Sequence, residues 1–209
     1  MNLIHQQASM RMLSGTELKS IEFAARNCYA SQSKMTPDSA EPFIKGLITR
    51  GHEAPLEFAH ATFDITTSRA VLAELTRHRL ASFCVESQRY IDEKKTGDID
   101  FIIPEWYNEE HKTDAEKLFE LSCGLAEDSY GRLRAMGMKP EQAREVLPNA
   151  TACRIIMCAN FREWRHIFRL RTSPAAYPAM RSLMNMMLHD AQTHIPVVFD
   201  DIGKEEKGD

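Results

Sequence analysis

The chain has 209 residues, of which 43% are hydrophobic, and its 26 Lys and Arg against 30 Asp and Glu leave a net charge of −4. That length fits one domain with a substantial core, while the acidic balance excludes a general polyanion binder, whose affinity rests on an excess of cations. No run approaches the roughly twenty apolar residues of a membrane span, and Met1 to Leu13 mixes Asn, His, Gln and Arg instead of forming an apolar signal segment, so a cytoplasmic protein acting away from membranes and nucleic acid is expected.

In chain order, Ser14-Gly15-Thr16 precedes a first helix with Glu17 early in it and Leu18, Ile21, Ala25 and Tyr29 at helical spacing. Glu41 to Thr49 is a short second helix, and His52 to Glu57 a loop or turn. From Phe58, apolar Ala59, Ala61, Phe63 and Ile65 alternate with His60, Thr62, Asp64 and Thr66, the period of a half-buried strand. Ser68 then caps a helix from Arg69 to about Arg77, with Val71, Leu72 and Leu75 on its apolar face. Phe83 to Ile91 and Phe101 to Ile103 read as short strands, Glu105 to about Ala135 as one broken or two consecutive helices, and Pro140 opens a helix that stops before Pro148.

Thr151, Cys153, Ile155, Met157 and Ala159 alternate along a further strand. Asn160 caps the next helix, whose apolar face is Trp164, Ile167 and Phe168 and whose charge is carried by Arg162, Arg165, Arg169 and Arg171. The last helix, from about Tyr177 to Thr193, has a wide face of Met180, Leu183, Met184, Met187, Leu188 and Ala191, suited to a core or a subunit interface. The expected fold is α+β: a single domain over 1–202 with a small mixed or antiparallel sheet flanked by helices, then a frayed tail over 203–209. Five scattered cysteines without a C-x-x-C pair suggest neither a disulfide framework nor a zinc site, and are expected to be reduced and mostly buried.

The chemistry concentrates in Arg77-His78-Arg79, followed by Ser82, Ser87, Arg89 and Tyr90. Guanidinium forks match phosphate oxygens two at a time, and hydroxyls satisfy the oxygens that remain. Taken alone, the cluster reads more readily as a solvated basic turn. Ser87 has no local base to make it a nucleophile, and Cys84 has none of the assistance that activates a thiol. His52, Glu53, Glu57 and His60 do not have H-E-x-x-H spacing, so no metal is expected.

Arg77-His78-Arg79, seven residues and then Ser87 resembles the signature of the flavin-dependent thymidylate synthases. Ala24 to Tyr29, Gly51 to Glu57, Glu141 to Pro148, Asn160-Phe161-Arg162 and Leu170-Arg171 are similar to further blocks of that family, in family order over most of the chain. The resemblance implies an enzyme that makes dTMP from dUMP, taking one carbon from methylenetetrahydrofolate and reducing equivalents from NADPH or NADH through FAD, with tetrahydrofolate as product. It also implies a homotetramer whose active sites collect residues from several subunits. No G-x-G-x-x-G fingerprint is present, so side chains would hold the flavin phosphates.

By position, the resemblance gives flavin contacts to His52, Arg77, His78, Arg79, Asn160, Arg162 and His166. It sets the dUMP phosphate against Ser87, Gln88, Arg89 and Arg144, with Glu74 and Arg77 at other nucleotide-facing positions. Arg171 matches the arginine beside the uracil ring, where a fixed cation favours negative charge developing at N3 and O2. The chain departs from the family pattern at Cys84, Val85 and Ala54, and has Glu74 where some relatives have Gln.

Overall fold

The computed structural model describes residues 1–11, 15–92 and 97–203; Ser14 and most of the expected tail lie outside them. Among the described residues the strands are β1 (Asn2–Ile4), β2 (Gln7–Arg11), β3 (His60–Ser68), β4 (Ala81–Val85), β5 (Asp100–Ile102) and β6 (Ala152–Asn160). The helices are α1 (Glu17–Asn27), α2 (Ala40–Thr49), α3 (Arg69–Leu75), α4 (Asp114–Ala135), α5 (Pro140–Ala143), α6 (Phe161–Arg171), α7 (Pro178–His194) and α8 (Pro196–Phe199). One sheet has the order β2-β3-β6-β4, and β1 pairs with β5 in parallel, matching Leu3 with Phe101. The expected α+β class is borne out. Among the described residues no helix is long and apolar enough to cross a membrane.

Contacts group the residues into two compact units, and β3, β4 and β6 each pass from one to the other. In the first unit, Ile99, Phe101, Cys123, Tyr130 and Ala143 form a buried cluster against Leu3, Phe119 and Leu133. α4 supplies this cluster along one face, and starts at a capping box in which Thr113 and Glu116 satisfy each other's backbone. The helix expected from Glu105 therefore starts later: Asn108 Oδ1 accepts from the Glu110 and His111 amides at 3.0 Å each, holding a turn where the pattern suggested a helix. α3 is capped as expected, with Ser68 Oγ accepting from the Val71 amide at 3.2 Å.

The strand expected over Phe83 to Ile91 lies at Ala81–Val85 instead. It ends because the Ser87 carbonyl accepts from the Tyr90 and Ile91 amides, and Ser87 Oγ from the Arg89 amide, making a turn. β4 closes one end of its sheet and its burial alternates, which leaves Cys84 exposed. Cys28, at the end of α1, is exposed too, and Cys158 is half-buried; only Cys123 and Cys153 are buried, so the expectation of mostly buried thiols is corrected. Burial pushes those two thiols up to about 11.

In the second unit, α6 packs against β3. The Trp164 indole N–H donates to the Ala61 carbonyl at 2.9 Å, Phe63 meets the Trp164 ring edge-on at 4.9 Å, and Phe168 stacks on Trp164 at 5.5 Å. The expected face of α7 is buried throughout, from Met180 to Ala191. Tyr29 falls beyond the end of α1 and is 75% exposed, so it does not extend that helix's apolar face. The loop that starts at His52 leads into a 3-10 turn, Ala54–Phe58, that contacts α1 and α6.

Ser68→Ala removes the cap of α3 and is expected to cost about 1 kcal/mol, read as a lower urea midpoint with an unchanged slope; an unshifted midpoint would show the cap to be dispensable.

Candidate active site

β6 ends at Asn160, whose Oδ1 accepts from the Glu163 amide at 2.8 Å and so fixes the first turn of α6. Asn160, Arg162, Glu163, His166 and Arg169 then face a cavity of about 460 Å³ shared with Glu53, Glu57 and Leu80. Arg162 pairs with Glu57 across it, and Arg169 with Glu53 at 3.0 Å. The lining mixes guanidinium, imidazole, amide and aliphatic groups with the three carboxylates of Glu53, Glu57 and Glu163; amide and imidazole donors suit the ring carbonyls of a flavin, and Arg162 and Arg169 would meet its phosphates by leaving their glutamates.

His78 is the buried member of the basic triplet at 6% exposure, while Arg77 and Arg79 are exposed. Arg171 Nε donates to His78 Nε2 at 3.1 Å. A guanidinium can only donate, so Nε2 is the accepting nitrogen and the ring proton sits on Nδ1. That nitrogen lies 4.0 Å from Glu163 Oε1, itself buried. Burial, then the positive charge of Arg171, then His166, hold His78 down at about 4 from an ordinary 6.5, so it is a neutral imidazole across the physiological range.

Arg165 organises the opposite side of α6. Its side chain is fully buried; Nε donates to Glu53 at 3.0 Å, two guanidinium nitrogens grip the Asp201 carboxylate at 2.6 Å each, and a further bond reaches the Val198 carbonyl. Burial alone would raise both carboxyls, but hydrogen bonds and charge from Arg169 and Arg165 hold Glu53 below the usual range, and Arg165 does the same to Asp201.

In the other unit, Ser87, Gln88 and Arg89 occupy the turn after β4. Arg89 pairs with Glu141 at 2.9 Å, tying this turn to α5, which runs directly into the short 3-10 segment that begins with Arg144. Arg144 is exposed, 4.0 Å from Glu145. Gln88 is buried and its Nε2 has no hydrogen-bond partner among the described residues. Glu74 lies on α3 and Arg77 in the turn that follows, where the Arg77 amide donates to the Glu74 carbonyl at 3.1 Å.

The structure thus brings together Asn160, Arg162 and His166 around one cavity, and His78 with Arg171 beside Glu163. His52 and Arg79 do not line that cavity. Of the departures, Cys84 and Ala54 are exposed and Val85 half-buried. The sequence pattern missed two groups. Arg165 was read as part of the charged face, yet with Phe161, Trp164 and Phe168 it completes a three-four-seven spacing that marks the buried side. Glu163 has the spacing of a helix-start residue after Asn160, which gave no hint of the imidazole its carboxylate faces. Among the described residues no group of three or more His, Cys, Asp and Glu could hold a metal ion.

An α+β frame that sets a neutral histidine against an arginine, beside a cavity of paired arginines and glutamates, is the setting of a site for a polar ligand. The chain belongs to the family described as thymidylate synthase complementing protein, whose profile matches residues 11–197. It is 36% identical over 194 residues to a probable flavin-dependent thymidylate synthase of Mycobacterium phage L5, covering 87% of this chain and 79% of that one. It is 35% identical over 195 residues to the flavin-dependent thymidylate synthase of Mycobacterium tuberculosis (strain ATCC 25618 / H37Rv), covering 87% and 78%. In fold it is similar to a UMP/dUMP methylase, PolB, from Streptomyces cacaoi, crystallised with 5-Br dUMP, at a TM-score of 0.79 and 24% identity over 96% of each chain. The family resemblance read from the signature is borne out.

The low value at His78 gives a signed expectation. As pH falls from 6.5 toward about 4, an unfolded chain takes a proton at this ring and the folded protein does not, so the neutral burial of His78 costs no stability above 6.5 and progressively lowers it through that window. A ring titration followed by NMR should place His78 near 4 and move it upward in Arg171→Gln, where one opposing charge is gone; a midpoint near 6.5 in the native protein contradicts the buried neutral assignment.

Proposed function

We propose that this protein is an FAD-dependent thymidylate synthase, methylating dUMP to dTMP with methylenetetrahydrofolate as one-carbon donor and NADPH or NADH as reductant. The observation that carries the reading is the matched signature arginine-histidine-arginine, whose histidine holds Arg171, on a chain of this family. Residues 1–202 act as one catalytic domain, and the working form is a homotetramer with shared active sites.

Ser87, Gln88, Arg89 and Arg144 receive the dUMP phosphate, Arg89 exchanging its Glu141 partner for a doubly charged one. The unpartnered Gln88 amide supports this role, since a buried donor without an acceptor is costly and a ligand oxygen would satisfy it. Glu74 and Arg77 face the nucleotide from α3 and the turn after it. Arg171 lies beside the uracil. For C5 to attack a one-carbon electrophile the ring must become electron-rich, and a fixed cation near N3 and O2 stabilises the charge that develops there. Arg171 accepts no proton in this scheme; C5 loses its own proton once the new bond forms. His52, Arg77, His78, Arg79, Asn160, Arg162 and His166 hold the flavin, with Arg162 and His166 supplying donors from the cavity. When bound, that cofactor supplies hydride chemistry that no side chain can perform.

The purified protein should be yellow, and after anaerobic reduction should convert dUMP plus methylenetetrahydrofolate into a nucleotide with the mass of dTMP. A colourless protein that refuses flavin and leaves the nucleotide mass unchanged would favour a binding module instead. Arg171→Ala should lower dTMP formation by on the order of 10²- to 10³-fold while flavin content and dUMP affinity stay close to those of the native protein; undiminished turnover would refute its assignment. Arg89→Ala and Arg144→Ala should each weaken dUMP binding about 10- to 100-fold, and a titration with native affinity would overturn those roles.

A further inference from the structure

We propose that Glu163 is a positioning residue that selects the ring tautomer of His78 and thereby fixes the direction of the Arg171 guanidinium. This rests on the assignment of Arg171 to the uracil ring.

The three groups lie in series. The Arg171 Nε–H points at His78 Nε2 from 3.1 Å, and the opposite ring nitrogen, Nδ1, lies 4.0 Å from Glu163 Oε1. His78 and Glu163 are both buried, at 6% and 9% exposure, so water does not compete freely for the ring. Only the tautomer with its proton on Nδ1 leaves Nε2 free to accept from an arginine. In water, neutral imidazole prefers the other tautomer, with the proton on Nε2, which would set an N–H against the guanidinium and turn the contact repulsive. A carboxylate beside Nδ1 reverses that preference, as acidic partners do for histidines whose other nitrogen must stay available. Asn160 keeps Glu163 in place by capping its amide at 2.8 Å.

The consequence for Arg171 is directional. Arginine has several rotatable bonds, and a cation that works by lying beside one edge of a ring loses its effect if it swings. Its contact with His78 anchors Nε, and that anchor is one of the contacts that set the direction of the fork. Glu163 touches no substrate in this scheme. It acts through the imidazole.

The test compares Glu163→Ala, Glu163→Gln and Arg171→Ala, alone and combined, in the full-length flavin-loaded protein. Glu163→Ala should lower kcat for dTMP formation about tenfold, with the KM for dUMP and the flavin content within about threefold of native; Glu163→Gln, which keeps an acceptor beside Nδ1, should recover most of that loss. In the Arg171→Ala background, adding Glu163→Ala should change kcat by less than about twofold, because the residue it positions is gone. ¹⁵N NMR of the ring should show the Nδ1–H tautomer in the native protein and a shift toward Nε2–H in Glu163→Ala. Native kcat in Glu163→Ala, or losses that multiply with Arg171→Ala, overturn the proposal. If the native protein makes no dTMP, the functional reading fails; the ring tautomer then decides the positioning by itself, and an unchanged tautomer in Glu163→Ala rejects it.

Discussion

A guanidinium that is wholly removed from water has to find every partner inside the fold, and the architecture around α6 is arranged to meet that demand. Desolvating a charge costs several kcal/mol, which mutual attraction repays only when the geometry is good and the remaining donors are satisfied. Arg165 meets this with two carboxylates and one carbonyl drawn from two stretches far apart in the chain: Glu53 before the 3-10 turn, and Val198 in α8 with Asp201 just after it. Because Arg165 and Trp164 are neighbours on α6, the polar clamp and the aromatic packing against Phe63 and Phe168 set the same helix. α6 in turn carries Arg162, Glu163, His166 and Arg171, so the placement of the candidate site follows from the burial of one arginine.

Two ways to treat positive charge meet around this helix. Arg165 is neutralised by direct pairing, and this raises its already high affinity for a proton. His78 meets cations instead, and responds by giving up its charge altogether. A neutral imidazole can accept a hydrogen bond where a protonated one cannot, so loss of charge is what permits the Arg171 contact. In the proposed function this leaves Arg171 charged and held beside the nucleotide ring by a group that adds no second charge.

Much of this frame was legible in the chain. Alternation in β3 and β6, the Ser68 and Asn160 caps, and the apolar stripe of α7 all rest on local periodicity, and the structure follows them closely. The start of α4 was misplaced because Asn108 and Thr113 redirect the backbone through side-chain bonds that periodicity does not register. Strands β1 and β2 went unread for a related reason: each is short, and its pairing comes from residues remote in sequence, as Asn2 with Asp100. For the site, the triplet at 77–79 and Arg171 stood out by residue type and by family likeness. The division of that triplet into one buried imidazole and two exposed guanidiniums, and the carboxylate behind the imidazole, depend on tertiary packing alone.

The interleaving of the two compact units has an outcome for how the chain acquires its shape. Met1–Gln7, Ile65–Arg77 and Cys84–Ile155 make one unit, and the intervening stretches make the other. Neither unit is one continuous stretch of chain. The Met10 amide reaches the Asp190 carboxylate across 180 positions of chain, and such closures demand loop entropy before any contact rewards them. Synthesis from the ribosome must therefore pass Asp190 before this closure can form, and nascent chains shorter than that present β2 without its bond to α7.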